Sequence, residues 1–543
     1  MRRRELSVIA VVCFGLVALV AHLAAQGSPA AARANAPVRQ TGYLKASNPG
    51  MYDHFGEGGA LPGHTGNTIA ISRDGNTIAA GAPHETSGAT GINGNQKDES
   101  AYNAGAVYVY TRAGARWSQQ AYVKASNAGA GDYFGSSVAL SADGNTMAVA
   151  AHWEASAATA VNGNQADNSI PQAGAVYVFT RSGGRWTEQA YLKASNTGEK
   201  SEGEELVGGG DGDQFGFSLA LSADGHTIAV GAVGEDSTAT GINGNQADNA
   251  AVSAGAVYVF RRAGSTWSQQ AYVKPTTLAM FAAGDLFGFS LSLSADGATL
   301  AVGVYDEGGS SRSINGAVDN MRGGSGAAYV FTRTGTTWAQ QAYIKTSIAE
   351  GGDSWGVSLA LSDDGHTLAL GSVDEDCKAT GVNPPGCDTD QPTDVSTGAV
   401  VVFGRSGTAW TQQAILKSSN TGIEDWFGVK LGLSGDGNTL AVTASNEDSA
   451  AQGINGRQDD DSAIEAGAVY LFTRSGGTWS QLAYVKSARN EAFDEFGNSV
   501  SMSRDGRTFV VGARGEDGGA GGAGANPADN SVDESGAAFV FTR

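Results

Sequence analysis

Residues 134–151 read Phe134-Gly-Ser-Ser-Val-Ala-Leu-Ser-Ala-Asp-Gly-Asn-Thr-Met-Ala-Val-Ala-Ala151. Residues 174–194 read Gly174-Ala-Val-Tyr-Val-Phe-Thr-Arg-Ser-Gly-Gly-Arg-Trp-Thr-Glu-Gln-Ala-Tyr-Leu-Lys-Ala194. Together they hold four short apolar runs separated by turn signals. Phe134 to Leu140 and Thr146 to Ala151 are joined through Ser141-Ala-Asp143-Gly144, a tight hairpin in which glycine supplies the positive φ. Ala175 to Thr180 is joined to Trp186–Ala194 through Arg181-Ser-Gly-Gly-Arg185. In the last run Trp186, Glu188, Ala190 and Leu192 alternate with Thr187, Gln189, Tyr191 and Lys193, the period of a half-buried strand. The unit predicts four strands in meander order, and helical periodicity appears only in the N-terminal segment.

The unit recurs along the whole chain, and a recurrence of this length decides the architecture. An aromatic–glycine pair preceded by an acid occurs seven times, at Phe55, Phe134, Phe215, Phe287, Trp355, Phe427 and Phe496, about 73 residues apart on average. An Asp–Gly pair follows each, at Asp74, Asp143, Asp224, Asp296, Asp364, Asp436 and Asp505. A Gly-Ala-Val-Tyr-Val-Phe-like run begins at Gly105, Gly174, Gly255, Gly326, Gly398, Gly467 and Gly536. A Tyr-Leu-Lys-like run begins at Tyr43, Tyr122, Tyr191, Tyr272, Tyr343, Ile415 and Tyr484.

Seven four-stranded units close radially as a β-propeller, which leaves only short edges. The order of strands supports closure independently. A fourth-strand copy, Tyr43-Leu-Lys-Ala-Ser47, precedes the first complete unit, and the seventh unit stops at Arg543 after its third strand. Pairing the spare strand into the seventh unit closes the ring, an offset for which a solenoid has no use. The expected fold is all-β: a single seven-bladed propeller over residues 37–543.

Composition agrees. Glycine makes up 79 of 543 residues and proline only 11, which fits many tight turns and excludes collagen-like or proline-rich disorder. The formal charge of −21 disfavours nucleic acid and anionic membranes as partners. Arg2, Arg3 and Arg4 precede an apolar run from Leu6 to Ala25 and small residues through Ala36, the layout of a secretory signal over residues 1–36. The expected location is extracellular or at the cell surface, with membrane attachment only if that segment is retained. Cys377 and Cys387 flank a segment containing Pro384, Pro385 and Gly386. In an oxidising compartment they read as a local disulfide.

At these motifs the chain resembles the FG-GAP repeat family, known for the seven-bladed head of integrin α-chains. The resemblance spans residues 38–543 and implies a recognition or adhesion role. One departure matters. Integrin-like repeats carry an Asp-x-Asp-x-Asp-Gly calcium loop between strands one and two, whereas this chain has Ser141-Ala-Asp143-Gly144. One carboxylate cannot supply the six or more oxygens that Ca²⁺ takes, so those sites are not carried over. The literal Gly-Ala-Pro survives at Gly81-Ala82-Pro83 alone.

The 1–2 and 3–4 turns are tight and the 2–3 and 4–1 connections are long, so variable surface gathers on one face, where a rigid scaffold presents binding loops. The 2–3 loops share a pattern, complete at Glu235-Asp236 and Ile242-Asn243-Gly-Asn245-Gln246-Ala-Asp248, with related forms from Glu85, Glu154, Asp306, Asp374, Glu447 and Glu516. Glu235, Asp236, Asn243, Asn245 and Asp248 are oxygen-bearing candidates for Ca²⁺. The same residues stabilise long loops through Asx turns, and repetition in most blades favours that reading. Catalytic motifs are weak. Gly352-Asp-Ser354-Trp-Gly356 spells GxSxG but aligns with the Asp-x-Phe-Gly of other blades and lacks a strand-to-helix elbow. Gly519-Ala-Gly521-Gly-Ala-Gly524 spells GxGxxG without a following helix. Trp117, Trp186, Trp267, Trp338, Trp410 and Trp479 recur once per blade, as packing residues do. No catalytic residue and no cofactor beyond a possible Ca²⁺ is assigned. The reading is a secreted, monomeric, non-enzymatic propeller that binds a protein or glycan through its long-loop face. A polysaccharide lyase or hydrolase and a structural surface protein are the rivals. A cluster of unlike residues in the central funnel, confined to one or two blades, would favour an enzyme.

Overall fold

In the second blade the four runs form strands Ser137–Leu140, Thr146–Ala151, Ala175–Ser182 and Arg185–Leu192, paired antiparallel in that order. The structure is a computed structural model describing residues 37–58, 66–198, 212–277, 284–387 and 395–543. The N-terminal segment 1–36 and the acidic insert Glu199–Gly210 lie outside the described residues. Seven such sheets form the ring, and no helix occurs among the described residues. The first strands of six blades, with Gly66 and Asn67 just ahead of the first strand of blade one, line a central channel of about 260 Å³.

The ring closes as the strand order requires. Arg39–Lys45 runs antiparallel to Ala537–Thr542, with Tyr43 opposite Phe539 and Leu44 opposite Ala538. Gly522–Ala523 then pairs on the outer side of Arg39–Lys45, making this sheet five-stranded.

The Phe–Gly and Gly–Ala motifs form one contact between neighbouring blades. Phe134 is fully buried edge-on against Tyr177 and Phe179, with ring centroids 5.4 and 6.1 Å away. Gly135 holds φ +98° and donates its N–H to Ala150 O at 2.9 Å. Its own carbonyl packs so tightly on Gly81 of the preceding blade that a Cβ at position 81 would overlap it. Glycine is required on both sides of that approach.

Strict alternation in the fourth strand breaks at one place. A bulge sits where Val178 pairs with Ala190 but Phe179 pairs with Glu188, leaving Gln189 out of register. That residue reaches the next blade, where Trp267 Nε1 donates to Gln189 Oε1 at 2.9 Å. Gln120 receives Trp186, Gln270 receives Trp338 and Gln341 receives Trp410 in the same way. Four of the six recurring tryptophans are therefore inter-blade latches, and all six are 3–6% exposed and covered by an arginine guanidinium.

The Asp–Gly hairpins satisfy their own carboxylate. Ser141 Oγ and Asn145 N–H donate to Asp143 Oδ1 at 2.6 and 2.9 Å, and Thr146 N–H donates to Ser141 Oγ at 2.9 Å. Burial opposes ionisation there, but these hydrogen bonds outweigh it and hold Asp143 below the usual carboxylate range.

Candidate functional site

Each 2–3 loop starts at a buried ion pair. Glu235 Oε2 lies 2.9 Å from Lys274 Nζ, and Tyr272 OH donates to Glu235 Oε1 at 2.7 Å, with both charged side chains removed from solvent. The pair repeats in every blade, as Lys45–Glu516, Lys124–Glu85, Lys193–Glu154, Lys345–Glu307, Lys417–Glu375 and Lys486–Glu447. In blades four and five the paired acid is Glu307 or Glu375, one place after the Asp306 and Asp374 at which the sequence pattern starts. Burial pulls the Lys274 ammonium below its ordinary range while Glu235 pushes it back up.

The other calcium candidates have separate protein partners. Asp236 accepts Ser253 N–H at 2.8 Å. Asn243, at φ 56°, donates its N–H to Tyr272 O at 2.8 Å and accepts Tyr272 N–H on Oδ1 at 2.9 Å. Next to it Ile242 bridges Val273, so the loop covers the edge of the outermost strand. Asn245 accepts Ala247 N–H at 3.1 Å. Asp248 accepts Ala250 N–H at 3.1 Å and the Thr238 hydroxyl. Glu235, Asp236 and Asp248 do not converge within coordination reach among the described residues. These contacts account for the repetition of the loop pattern: each blade has an ammonium to neutralise and an edge to cover.

The seven blades differ at the mouth of the channel on the long-loop face. The residue before each aromatic–glycine pair is His54, Tyr133, Gln214, Leu286, Ser354, Trp426 or Glu495, and all seven hold φ between 50° and 60°. For non-glycine residues this left-handed backbone is strained and persists where surrounding bonds over-determine it. Tyr133 N–H donates to Asn103 O at 3.0 Å, and Ser136 N–H donates to Tyr133 O at 3.1 Å. One backbone solution thus carries seven different side chains to one rim.

That rim has two arcs. Blades three to six supply an apolar one, in which Phe217, Val233, Leu286, Phe289, Val357, Val373 and Val429 form a buried cluster with Tyr305 and Trp426 half-buried against it. Phe289 and Tyr305 stack with centroids 4.8 Å apart. Below the rim Lys430 enters the channel, where burial pulls its ammonium down to about 8. Blades seven, one and two supply a polar, aromatic arc. Tyr133 meets His84 and Trp153 edge-on at 5.1 and 4.7 Å. His84 Nε2 lies 3.1 Å from Glu57 Oε2, and His54 Nδ1 lies 3.5 Å from the same oxygen. On the far sides, His54 Nε2 lies 3.1 Å from Glu534 Oε2, and His84 Nδ1 lies 3.3 Å from Asn103 Oδ1. Asn103 Nδ2 in turn donates to Tyr133 OH at 2.9 Å. Arg514 Nη1 stands 3.6 Å from Glu57 Oε1, and Arg514 Nε donates to Glu495 at 2.7 Å. Burial disfavours the charged form of His54, but Glu57 and Glu534 outweigh it and raise its pKa.

Sequence reading missed this arc, because its histidines look scattered when each is taken singly. The available signal was variation: aligned by their Phe–Gly pairs, the seven copies agree before and after the rim position and disagree at it.

Cys377 and Cys387 form the expected disulfide, with Cα atoms 5.2 Å apart. Thr397 Oγ1 donates to Cys377 O at 2.9 Å and accepts from Lys417 Nζ at 2.8 Å, tying the loop to the ion pair of blade five. In the GxSxG stretch Ser354 is simply the rim residue of that blade, followed by the turn into strand Ser358–Leu361. The GxGxxG stretch becomes the short strand Gly522–Ala523 that covers the ring-closing strand.

The FG-GAP repeat family matches residues 117–179 and 479–541, and the chain carries these repeats. Each match runs from a fourth-strand tryptophan to the third-strand phenylalanine of the next blade, the same one-strand offset with which the ring closes. No curated protein matches the chain. Among solved structures the chain is similar to the periplasmic gluconolactonase of Pseudomonas aeruginosa, with 16% identity over 84% of this chain and 98% of that one and a TM-score of 0.44. It is also similar to the hydrazine synthase of Kuenenia stuttgartiensis, with 11% identity over 84% and 93% and a TM-score of 0.41. A third is the β-propeller domain of Cps50 (Swd1) from Myceliophteria thermophila, with 10% identity over 83% and 93% and a TM-score of 0.43.

Proposed function

We propose that the protein is a secreted, monomeric, non-enzymatic propeller that binds a glycan at the mouth of its channel on the long-loop face. The observation that carries this reading is the rim, where one strained backbone position presents seven different side chains while other repeated positions stay nearly constant. Half-buried rings of Tyr133, Trp153, Tyr305 and Trp426 stand among hydrogen-bonding groups there. Flat apolar surfaces beside fixed polar groups suit a sugar ring, which has apolar C–H faces and hydroxyl edges. The acidity of the chain favours a neutral or basic glycan over a polyanionic one.

The test is a glycan array probed with residues 37–543, followed by titration of the best ligand against Tyr133→Ala and Trp426→Ala. Both variants should bind at least about tenfold more weakly, a loss of about 1.4 kcal/mol, while retaining a cooperative melt. Unchanged affinity in both would remove the rim from the binding surface. A protein pull-down that succeeds where the array is blank would replace glycan by protein.

A second reading, a polysaccharide-acting enzyme, is favoured by one observation: His54, Glu57 and His84 make a cluster of unlike groups confined to a single blade. Release of reducing ends or unsaturated products from an array-positive polysaccharide, abolished by Glu57→Gln, would establish it over simple binding.

A further inference from the structure

We propose that His54, Glu57 and His84 bind a divalent transition-metal ion of the zinc class at the channel mouth, a site independent of whether the rim takes a glycan.

The first support is convergence. His54 Nδ1 and His84 Nε2 both face Glu57 Oε2, at 3.5 and 3.1 Å, and the three atoms lie within 4.8 Å of one another. Donors bound to a tetrahedral zinc ion at about 2.0–2.1 Å stand about 3.3 Å apart, so the spacing is that of a ligand set. The second support is the orientation of the imidazoles. The nitrogen of His54 facing away from Glu57 lies 3.1 Å from the Glu534 carboxylate, and the corresponding nitrogen of His84 lies 3.3 Å from the Asn103 carbonyl oxygen. In the neutral imidazole that ligates a metal, an acceptor behind each ring holds the proton on that outer nitrogen and turns a lone pair inward, so metal binding would displace the inner proton that Glu57 favours on His54. Two inward lone pairs and a carboxylate oxygen then face one another. One shared proton satisfies a single N···O contact, whereas a metal ion satisfies all three donors.

Donor chemistry selects the metal class. Imidazole nitrogen suits zinc, copper, nickel and iron, whereas Ca²⁺ and Mg²⁺ take oxygen. Arg514 stands on Glu57 Oε1, so the carboxylate would ligate through Oε2 alone. Three protein ligands leave a fourth position open. Glu57 is 3% exposed while His54 and His84 are 13% and 23% exposed, so that position faces the mouth. The ligands come from the turn into the first strand of blade one and from the end of its second strand. The acceptors behind them lie on neighbouring loops, with Glu534 supplied by blade seven. The ring closure that the strand order predicts therefore also completes this site.

The experiment uses the folded chain over residues 37–543, stripped with chelator, dialysed, and titrated with Zn²⁺ by calorimetry and with Co²⁺ by visible absorption. One equivalent of Zn²⁺ and d–d bands from Co²⁺ are expected. His84→Ala and Glu57→Gln should each weaken binding at least about 100-fold, and Asn103→Ala about 10–100-fold by releasing the far side of His84. His84 is partly exposed, so its variant keeps the test valid if Glu57→Gln does not fold. A cooperatively melting parent that takes up no stoichiometric Zn²⁺ overturns the proposal, as does uptake undiminished in His84→Ala. Metal uptake is measured without glycan and the array can be run on stripped protein, so failure of either reading leaves the other standing.

Discussion

At the outer rim the seven blades carry the same group: a lysine from the fourth strand on a glutamate that opens the 2–3 loop, joined in six blades by a tyrosine hydroxyl and in blade five by Ile415 instead. At the channel mouth the corresponding comparison runs His, Tyr, Gln, Leu, Ser, Trp, Glu. Both places hang side chains on a fixed backbone position in every blade, yet only one set is uniform. The uniform set solves a problem that every blade has, closing its own periphery. The varied set solves no problem of the fold, because the left-handed backbone at the mouth tolerates any of the seven side chains. In a repeat protein, variation at a strained and structurally equivalent position points to function more sharply than repetition does.

The largest expected effect comes from breaking uniformity at the one blade assembled from both chain ends. Removing residues 37–48 deletes Arg39–Lys45, exposes the edge of Ala537–Thr542 and strips Glu516 of Lys45. It also removes Leu44 and Ala46, both fully buried. Aggregation, or a melt far below the parent, is expected in light scattering and thermal denaturation. A truncation that melts with the parent would show that the periphery does not depend on closure.

Next in size is the loss of one ion pair. Lys124→Met leaves Glu85 buried without its ammonium, which costs about 3–5 kcal/mol, and Glu85→Gln in the same chain should restore part of the loss. Lys274→Met and Lys486→Met should cost similar amounts, because their surroundings repeat. Tyr133→Ala at the mouth should cost less than any of them. Denaturant midpoints across the series check the ordering, and a mouth variant as damaging as an ion-pair variant would erase the distinction.

How much of this could be read from sequence follows the same division. Strand order, blade number and the closing offset were legible because each rests on a motif repeated seven times. The 2–3 loop acids were legible as a pattern but ambiguous in chemistry. Glu235 read as a calcium candidate, and its partner Lys274 sits 39 residues away on another strand. The clue was that a lysine recurs just as often, in a strand that is otherwise apolar there. The bulge that turns Gln189 toward Trp267 left no mark on the alternation, because a one-residue slip depends on pairing that only the sheet defines. The His54–Glu57–His84 arc was not legible from any single copy. Its acceptor Glu534 is 480 residues from His54 and reaches it only through ring closure.

A smaller effect tests where blade five departs from the others. Its loop keeps the clasp of the pattern through Val382 and Asn383, but Pro384-Pro385 follow and the Cys377–Cys387 disulfide closes it. A loop of this length contributes about 2–3 kcal/mol in the chain-entropy account. Reduction should raise hydrogen exchange in residues 377–387 while the other six blades keep their protection. Mass spectrometry of the unreduced, denatured chain checks the bond itself, and two alkylatable thiols would refute it. Global unfolding on reduction would mean that the blades are not energetically separable.

The smallest effect concerns the acid two places before each Phe–Gly pair, which is uniform although it adjoins the varied rim. Asp132 Oδ2 accepts Gly129 N–H at 2.7 Å and so fixes the 4–1 turn. Burial pushes its pKa up, Gly129 N–H pulls it down, Glu154 pushes it up again, and the balance lies at about 7. Asp353, Asp425 and Asp494 also lie at about 7, and Asp285 at about 8. An unfolded aspartate titrates near 3.9, so between about pH 4 and pH 7 the folded chain binds more protons than the unfolded one. The stability these groups contribute is complete below about pH 4 and is lost as pH rises through their folded values. The parent should therefore melt higher at about pH 5.5 than at about pH 8. Asp132→Asn keeps an oxygen for Gly129 N–H but cannot ionise, so it should lower the melt slightly at the acid end and raise it at the alkaline end. The difference between the two melts should shrink by a minor share, since the other blades keep their aspartates. A pH slope identical to the parent's would mean that Asp132 is already ionised at the acid end, and that the uniform acid holds its turn as a carboxylate.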